Sequence, residues 1–405
     1  MKSIVVVDPF WRGHHPTYMK LFSRVLLSLG HRVIAISPNP QEIMSDIKEN
    51  AGGQVDFEAF EVQEPMTPVI PTSRFQKMKS TLNLWNAARS SIENAVKITG
   101  RSPDLVFFAW LDSYLGNHLS HYLVDRYFPY PWSGLYFHPS HLRIGQRFSP
   151  IRKGPLDCDN ILRSPKCRSV AVLDEGIASK LELKLRHKSV IVFPDVADDS
   201  PVDLRYEDVV RINQLANERK KIGIIGGLAK RKGLLNLLNV AKCAQNENWF
   251  FIFAGRLVRS TFTANELAVI DDLKKNPLPN CFFSFSDIPD EPQFNALIKT
   301  CDLLYAVYDN FPHSSNILGK AALFDKPVIV ANGFCMGERV KKFHLGLQID
   351  GNDVKKTIDA IRSLLNASSS ALPDAEKPDF KGYREQHSRD RLSAVFKKLI
   401  EISAA

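Results

Sequence analysis

The chain opens KSIVVVDPFWRGHHPTYMKLFSRVLLSLGHRVIAIS over residues 2–37. Ile4 to Val7 is a β-branched run of the kind that forms a buried strand. Asp8 to Thr17 follows as a loop carrying Pro9, Gly13 and Pro16. From about Tyr18 to Leu29 the apolar residues Met19, Phe22, Leu26 and Leu29 recur at helical spacing. Gly30 stops that helix, and His31 to Ser37 predicts a second strand. Strand, loop, helix and strand in one short segment is the unit that builds a parallel sheet, because a parallel neighbour can be reached only by a crossover.

The same alternation continues outward. Residues 51–75 read as a strand and then a loop, and 74–99 as a long amphipathic helix. Further strands are expected at Asp104–Trp110, Trp132–Phe137, Ser169–Leu173 and Ser189–Phe193, with helices at Tyr114–Asp125 and Gly176–Leu185. The polar stretch Pro194–Asp203 marks a domain boundary. After it the alternation restarts, with strands at Ile222–Gly226, Trp249–Ala254, Cys281–Phe285, Asp302–Tyr308 and Pro327–Ala331. A low-complexity joint at Ala367–Lys377 precedes a last helix, from about Arg384 to Ser403. The expected class is α/β, with domains at 1–205 and 206–380 and a helix at 381–405 that returns to the first domain.

Bulk properties narrow the classes of function. The 405 residues carry 53 basic and 44 acidic side chains, a net charge of +9, which suits anionic partners. No nucleic-acid module or basic stripe interleaved with aromatics is present, so nucleic acid is not expected. Apolar runs are far shorter than the roughly 20 residues that cross a bilayer. No signal segment is read at the start, and a cytoplasmic location is expected. The helix at 74–99 sets Leu82, Trp85, Ala88, Ile92 and Val96 in one stripe beside Arg74, Lys77, Lys79, Arg89, Lys97 and Arg101. Core packing is the expected use of that stripe, with weak peripheral contact at the inner membrane face as the alternative. Six scattered cysteines show no metal-ligand spacing, and no metal is expected.

In open parallel sheets, ligands bind beyond the carboxyl ends of the strands. Four loops lie there. Gly226-Gly-Leu-Ala-Lys-Arg-Lys-Gly233 combines glycines, which let the backbone approach a phosphate, with three consecutive cations. It matches neither the P-loop order nor G-x-G-x-x-G. Asn310-Phe-Pro-His-Ser-Ser-Asn316 precedes a helix that Ser314 or Ser315 can cap. Trp11-Arg-Gly-His-His-Pro-Thr17 offers His14 and His15 for hydrogen bonding to a sugar or phosphate. Tyr136-Phe-His-Pro-Ser-His141 ends an aromatic-rich strand. The pair His118 and His121 reads as a solvated or core-edge helix face.

Taken together, these motifs resemble the GT-B glycosyltransferases, most of all the large retaining group known as family 4. Gly226–Gly233 is similar to that group's G-R-L-x-x-x-K-G loop, with Lys232 on its phosphate-binding lysine; Gly227 stands in place of its arginine, and Lys230 or Arg231 can supply that charge. Gly319-Lys-Ala-Ala-Leu-Phe-Asp-Lys-Pro-Val-Ile-Val-Ala331 resembles the group's E-A-x-A-x-G-K-P-V-I-A segment, and Glu338 lies where the group has its P-E-L-V glutamate. Ser102-Pro-Asp-Leu-Val-Phe-Phe108, the strand leading to His138, and Val172–Leu181 resemble first-domain segments.

The resemblance implies two Rossmann-like domains facing a central cleft. It also implies transfer of a hexosyl unit, with retention, from a nucleotide diphosphate sugar to a glycan or lipid-linked acceptor, as in polysaccharide biosynthesis, without a cofactor. His138 and Glu338 are then the catalytic-side residues. Gly227, Lys230, Arg231, Lys232, Ser314, Ser315, Asn316 and Lys320 lie on the donor side, and His14 and His15 on the acceptor side. One departure stands out. Two glutamates of the group, with seven residues between them, fall on Pro312 and Lys320, and a lysine cannot accept hydrogen bonds from ribose hydroxyls. A non-catalytic relative that binds another transferase is therefore the alternative reading.

Overall fold

A computed structural model describes residues 1–50, 55–63, 73–116, 119–144, 157–351, 353–366 and 377–404. It divides into two compact units, Met1–Pro194 with Arg389–Ala405, and Asp195–Ser388, against expected divisions near 205 and 380. His118 and most of the joint at 367–377 lie outside the described residues.

In the first unit β1 (Ser3–Val7) leads through α1 (His15–Ser28) to β2 (Arg32–Ser37), and α2 (Pro40–Asn50) to β3 (Phe57–Glu61). Next come α3 (Arg74–Thr99), β4 (Leu105–Phe108), α4 (His121–Tyr127), β5 (Trp132–Tyr136), α5 (Ser140–Arg143), β6 (Cys167–Val172), α6 (Glu175–Leu185) and β7 (Ser189–Val192). The strands form one parallel sheet in the order β3-β2-β1-β4-β5-β6-β7.

Helix α3 runs over the expected residues because Ser73 and Gln76 form a capping box at its start and Gly100, left-handed at φ 70°, ends it. Its stripe belongs to the core: Trp85, Ala88, Ile92 and Ala95 are fully buried. The Trp85 ring meets Phe108, Tyr114, Phe128 and Trp132 edge-on or nearly so, at 5.0–5.3 Å, and its indole N–H donates to Tyr114 O at 3.0 Å. Elsewhere in the unit, Phe396 of the C-terminal helix Arg389–Ala404 packs against Phe22, Phe107 and Phe193.

Two expectations are corrected here. Helix α1 starts at His15 rather than Tyr18, because Pro16 sits in its first turn, where a missing N–H costs nothing. The helix expected at Tyr114–Asp125 is a 3₁₀ turn at Leu111–Tyr114 followed by α4, whose start Ser120 caps by accepting from Tyr122 N–H.

The second unit carries α7 (Glu207–Ala216), β8 (Lys220–Ile225), α8 (Leu234–Cys243), β9 (Trp249–Ala254), α9 (Ala264–Lys275), β10 (Cys281–Ser284) and α10 (Glu291–Thr300). It continues with β11 (Leu303–Ala306), α11 (Ile317–Leu323), β12 (Val328–Ala331), α12 (Phe334–Phe343), β13 (Gly346–Ile349), α13 (Val354–Asn366) and α14 (Phe380–Gln386). Its parallel order is β10-β9-β8-β11-β12-β13, the doubly wound arrangement.

Strand β13 was not expected from the sequence: it is a short edge strand whose apolar content is Leu347 and Ile349 alone. Nor is Pro194–Asp203 a free linker. Asp195 is buried, its N–H donating to His387 Nδ1 at 3.0 Å, and Ser200 O accepts from Asn295 Nδ2 at 2.8 Å. Its polar residues signalled exposure, but backbone groups of Asp195 and Ser200 are spent on internal bonds.

Strand order reverses beside β1 and beside β8. The gaps between β1 and β4, and between β8 and β11, are therefore the places where each unit opens to a ligand. Among the described residues no helix is long and apolar enough to cross a membrane. Phe396→Ala is expected to destabilise the first unit by about 3–5 kcal/mol, the range for a buried aromatic truncated to alanine. A fall in the urea midpoint of circular dichroism, absent for an exposed control such as Lys397→Ala, is the measurement.

Candidate functional site

In the second unit the backbone leaves β8 through Gly226, held at φ 103°. Beside it Gly255 follows β9 at φ 123°, where a Cβ would lie 2.2 Å from Gly226 O. Only glycine permits this close approach. Lys230–Lys232 then form a 3₁₀ turn, and left-handed Gly233 (φ 78°) starts α8. Asp309, just beyond β11, donates its N–H to Arg231 O at 2.6 Å and ties the loop to the opposite side of the gap.

The three cations differ in how far they are committed. Lys230 pairs with Glu266 at 2.6 Å. The Arg231 guanidinium lies over Phe311 at 4.6 Å, and the Lys232 ammonium over Tyr308 at 5.2 Å. Among the described residues, neither Arg231 nor Lys232 has a carboxylate partner. A Cβ on Gly227 would have nothing within 4 Å, so a side chain there would enter open space. A cavity of about 540 Å³ borders the loop, lined by Lys230, Arg231, Asn236, Asn239, Thr261 and Asp309 among others.

The residues ahead of α11 are arranged otherwise than the sequence suggests. Ser314 does not cap the helix: its hydroxyl donates to Asp195 Oδ2 and accepts from Arg339 Nη1 at 2.6 Å. Asp195 and Arg339 are both buried, and their charges account for this bond. Burial, with Arg339 and Lys342 nearby, pushes the adjacent His387 down to about 2, so it stays neutral and accepts from Asp195 N–H. Asn316 occupies the cap position without a side-chain cap bond, and Ser315 offers only its carbonyl to Leu318 N–H.

Lys320 is 2% exposed. Its ammonium donates to Asp198 O at 2.7 Å, Glu291 Oε2 at 2.7 Å and Asn295 Oδ1 at 2.6 Å. All three protons are consumed inside the unit. The side chain pins the 195–200 segment to α10, a different role from the donor contact its alignment implies. Glu338 is exposed on α12.

In the first unit the gap between β1 and β4 is lined by aromatic rings. Trp110 stacks on Phe137 at 3.8 Å and on His15 at 4.1 Å. Asp8, fully buried at the end of β1, accepts from Phe10 N–H at 3.0 Å and holds His15 Nδ1 at 2.7 Å. Asp112 accepts from the N–H groups of Phe137 and His138, both at 2.8 Å, and so fixes the end of β5. The His138 ring is 45% exposed and its Nδ1 lies 3.5 Å from Asp112. His14 is exposed at the N-cap of α1. Structure thus brings His15 and His138 to one aromatic ladder, with His14 next to His15 in the chain. Sequence reading missed Asp8, Trp110 and Asp112; their signal was position, immediately past the ends of β1 and β4.

One further cluster could concern a metal. Donor atoms of His141, Cys158 and Asp159 lie within 4.8 Å of one another. Lys184 Nζ is already 2.5 Å from Asp159 and 2.6 Å from Asp157, and burial with Asp159 pushes the Cys158 thiol up to about 12. A lysine already supplies the positive charge, and the thiol is a poor ligand while protonated.

No protein-family model matches this chain, and no curated protein matches its sequence. Solved structures do resemble it. A glycosyltransferase from Rickettsia africae shares 15% identity at a TM-score of 0.62, over 99% of this chain and 97% of that one. Anabaena HepE in complex with UDP and glucose shares 13% at 0.61, over 99% and 100%. Sucrose-phosphate synthase from Thermosynechococcus elongatus shares 14% at 0.62, over 99% and 98%. Likeness at this level of identity establishes the fold: two parallel-sheet Rossmann-like domains of the GT-B type.

Lys320→Met is expected to leave Asn295 Oδ1 without its buried donor, a loss of about 1–3 kcal/mol. Lys320→Glu is expected to cost more, because its carboxylate would face Glu291. Melting temperatures of the two variants check the order; equal stability of Lys320→Glu and wild type would mean that the ammonium is not the pin.

Proposed function

We propose that the chain is a glycosyltransferase that moves a hexosyl unit from a nucleotide diphosphate sugar to a glycan or lipid-linked hydroxyl. The observation that carries this reading is the Gly226–Gly233 loop at the β8–β11 gap. Glycines bring its backbone close, and Arg231 and Lys232 approach without carboxylate partners among the described residues. A diphosphate is the ligand such a loop suits. Its negative charge grows as the bond to the sugar breaks, and fixed cations lower that barrier. HepE, of similar fold, is known with UDP and glucose and with UDP-glucose, which supports a sugar nucleotide as donor.

In this reading Lys232 and Arg231 hold the diphosphate, with Lys230 and the open position at Gly227 beside them. Ser315 and Asn316 present the start of α11 to the donor, and Glu338 contributes an acceptor on α12. His138 contacts the reacting sugar, and His14 and His15 serve the acceptor side. Retention of anomeric configuration rests on the sequence resemblance of the second unit. A cytoplasmic site of action suits a nucleotide sugar substrate, and no cofactor enters the reaction.

The position of Lys320 favours one alternative, a non-catalytic relative that partners another transferase. Its ammonium is spent internally where the resembling group keeps a carboxylate, and Pro312 replaces the other. Product formation separates the readings: mass spectrometry of the wild type with a donor panel and a mixed glycan–lipid acceptor extract is expected to show hexosyl transfer, and none from any donor would leave the partner role.

Binding tests the loop independently. Lys232→Ala is expected to weaken UDP binding by about 1.5–3 kcal/mol, the worth of a hydrogen bond to a charged group. Gly227→Arg should strengthen it, since the side chain has room and restores a cation. Calorimetric titration with UDP reads both, and affinities unchanged in folded variants would remove the loop from the donor site.

A further inference from the structure

Among the described residues the buried charge of Lys320 is answered by a single carboxylate, and only one oxygen of that carboxylate is used. The ammonium meets two neutral acceptors, Asp198 O at 2.7 Å and Asn295 Oδ1 at 2.6 Å, and one charged acceptor, Glu291 Oε2 at 2.7 Å. A cation this enclosed is costly unless it is paired and hydrogen-bonded, so Glu291 is needed as its counter-charge. Oε2 alone does that. Among the described residues Oε1 has no hydrogen-bond partner, and the Glu291 side chain is 38% exposed against 2% for Lys320. The pair buries its ammonium and shows its carboxylate to solvent.

Its place in the unit ties it to the phosphate loop. Glu291 begins α10, and Phe294 follows three residues on, along the same helix face. The Lys320 ammonium lies over the Phe294 ring, 5.6 Å from its centre. The same ring borders the loop: a Cβ on Gly226 would lie 3.4 Å from Phe294 Cε2 and 4.0 Å from Lys232 Nζ. One phenyl ring thus touches both groups, Gly226 with Lys232 and Lys320 with Glu291.

A bare carboxylate beside a diphosphate would repel it. Paired with Lys320 it adds no net charge, so it can border the site without opposing the phosphates. Its second oxygen can only accept, because an ionised carboxylate has no proton to give. The donors that a sugar nucleotide offers are hydroxyls. They occur as neighbouring pairs on the ribose and on the sugar, at either end of the diphosphate. A carboxylate already fixed by an ion pair loses little freedom on meeting such a pair.

We propose that Glu291 binds a vicinal hydroxyl pair of the donor through Oε1, with Lys320 holding the carboxylate in place. This rests on the reading of the Gly226–Gly233 loop as the diphosphate site. A lysine on α11 cannot accept from a hydroxyl, but here it fixes a neighbour on α10 that can. The hydroxyl-binding group is then built from two helices, and Lys320 is part of it without touching the ligand.

The test is calorimetric titration of the full chain with UDP, 2′-deoxy-UDP and UDP-glucose, with the guanosine and adenosine series alongside. Glu291→Gln keeps an oxygen for Lys320, and Glu291→Ala removes the group; circular dichroism melts establish that each variant is folded. If the hydroxyls are those of the ribose, wild type should bind UDP about ten-fold or more tightly than 2′-deoxy-UDP, the worth of a hydrogen bond to a charged group. Both variants should then lose that preference, weakening UDP and UDP-glucose alike and sparing the deoxy nucleotide. If the hydroxyls are those of the hexose, the loss should be confined to UDP-glucose. Lys232→Ala, which acts on the phosphates, should weaken all three ligands together. Folded Glu291 variants that bind every ligand as wild type does, or that weaken all three equally, overturn the proposal and leave Glu291 as the counter-charge of Lys320, with the transferase reading intact. Wild type that binds none of the nucleotides removes the donor site and the role of Glu291 together.

Discussion

A parallel strand cannot be joined to its neighbour by a tight turn, and most of this molecule follows from that constraint. Each return to the sheet crosses one face as a helix, so both faces are covered and the strands must be apolar throughout. All positions of β2 and β9 are buried. The crossovers also deliver every strand's carboxyl end to the same edge. Where strand order reverses, beside β1 and β8, adjacent crossovers part to opposite faces and leave a gap. Asp8 and His15 stand at one gap; Gly226 and Lys232 stand at the other. In neither unit does the site need a special element, because the sheet makes the opening and the loops furnish it.

Charge near these openings is sorted by burial. Lys320 and Arg339 are enclosed, and their donors are matched by Asp198 O, Glu291, Asn295 and Ser314. Such groups hold the 195–200 segment and the approach to α11 in one arrangement, since removing a partner would strand a buried charge. Arg231 and Lys232 rest instead on the faces of Phe311 and Tyr308. A cation–π contact steadies a side chain without occupying its N–H groups. This leaves them available to an anion, whereas the donors of Lys320 are already matched inside the unit.

Solved structures that resemble this chain share about an eighth to a sixth of its residues yet match it nearly end to end. Packing tolerates such divergence where volume and patterning persist. Site chemistry is less tolerant, and Pro312 and Lys320, which stand where the resembling group keeps carboxylates, bear on function in a way that the preserved sheets do not. The Asp8–His15 pair lies in the other unit and is built without those two positions.

The alternation of short apolar runs with helical spacing already determined two doubly wound units, because burial on both faces leaves a continuous hydrophobic signature along each strand. The glycines and cations of 226–233 were equally legible, since contiguous residues carry that loop. Strand β13 was not, having too few apolar residues to announce itself. Nor were the fates of Lys320 and Ser314, whose partners Glu291, Asn295, Asp195 and Arg339 lie far away in sequence. A lysine reads the same whether its ammonium meets solvent, ligand or three buried acceptors. Only the tertiary structure brings those acceptors within 3 Å, and only it sets Trp110 against His15 to hold a ring that the sequence shows merely as one histidine of a pair.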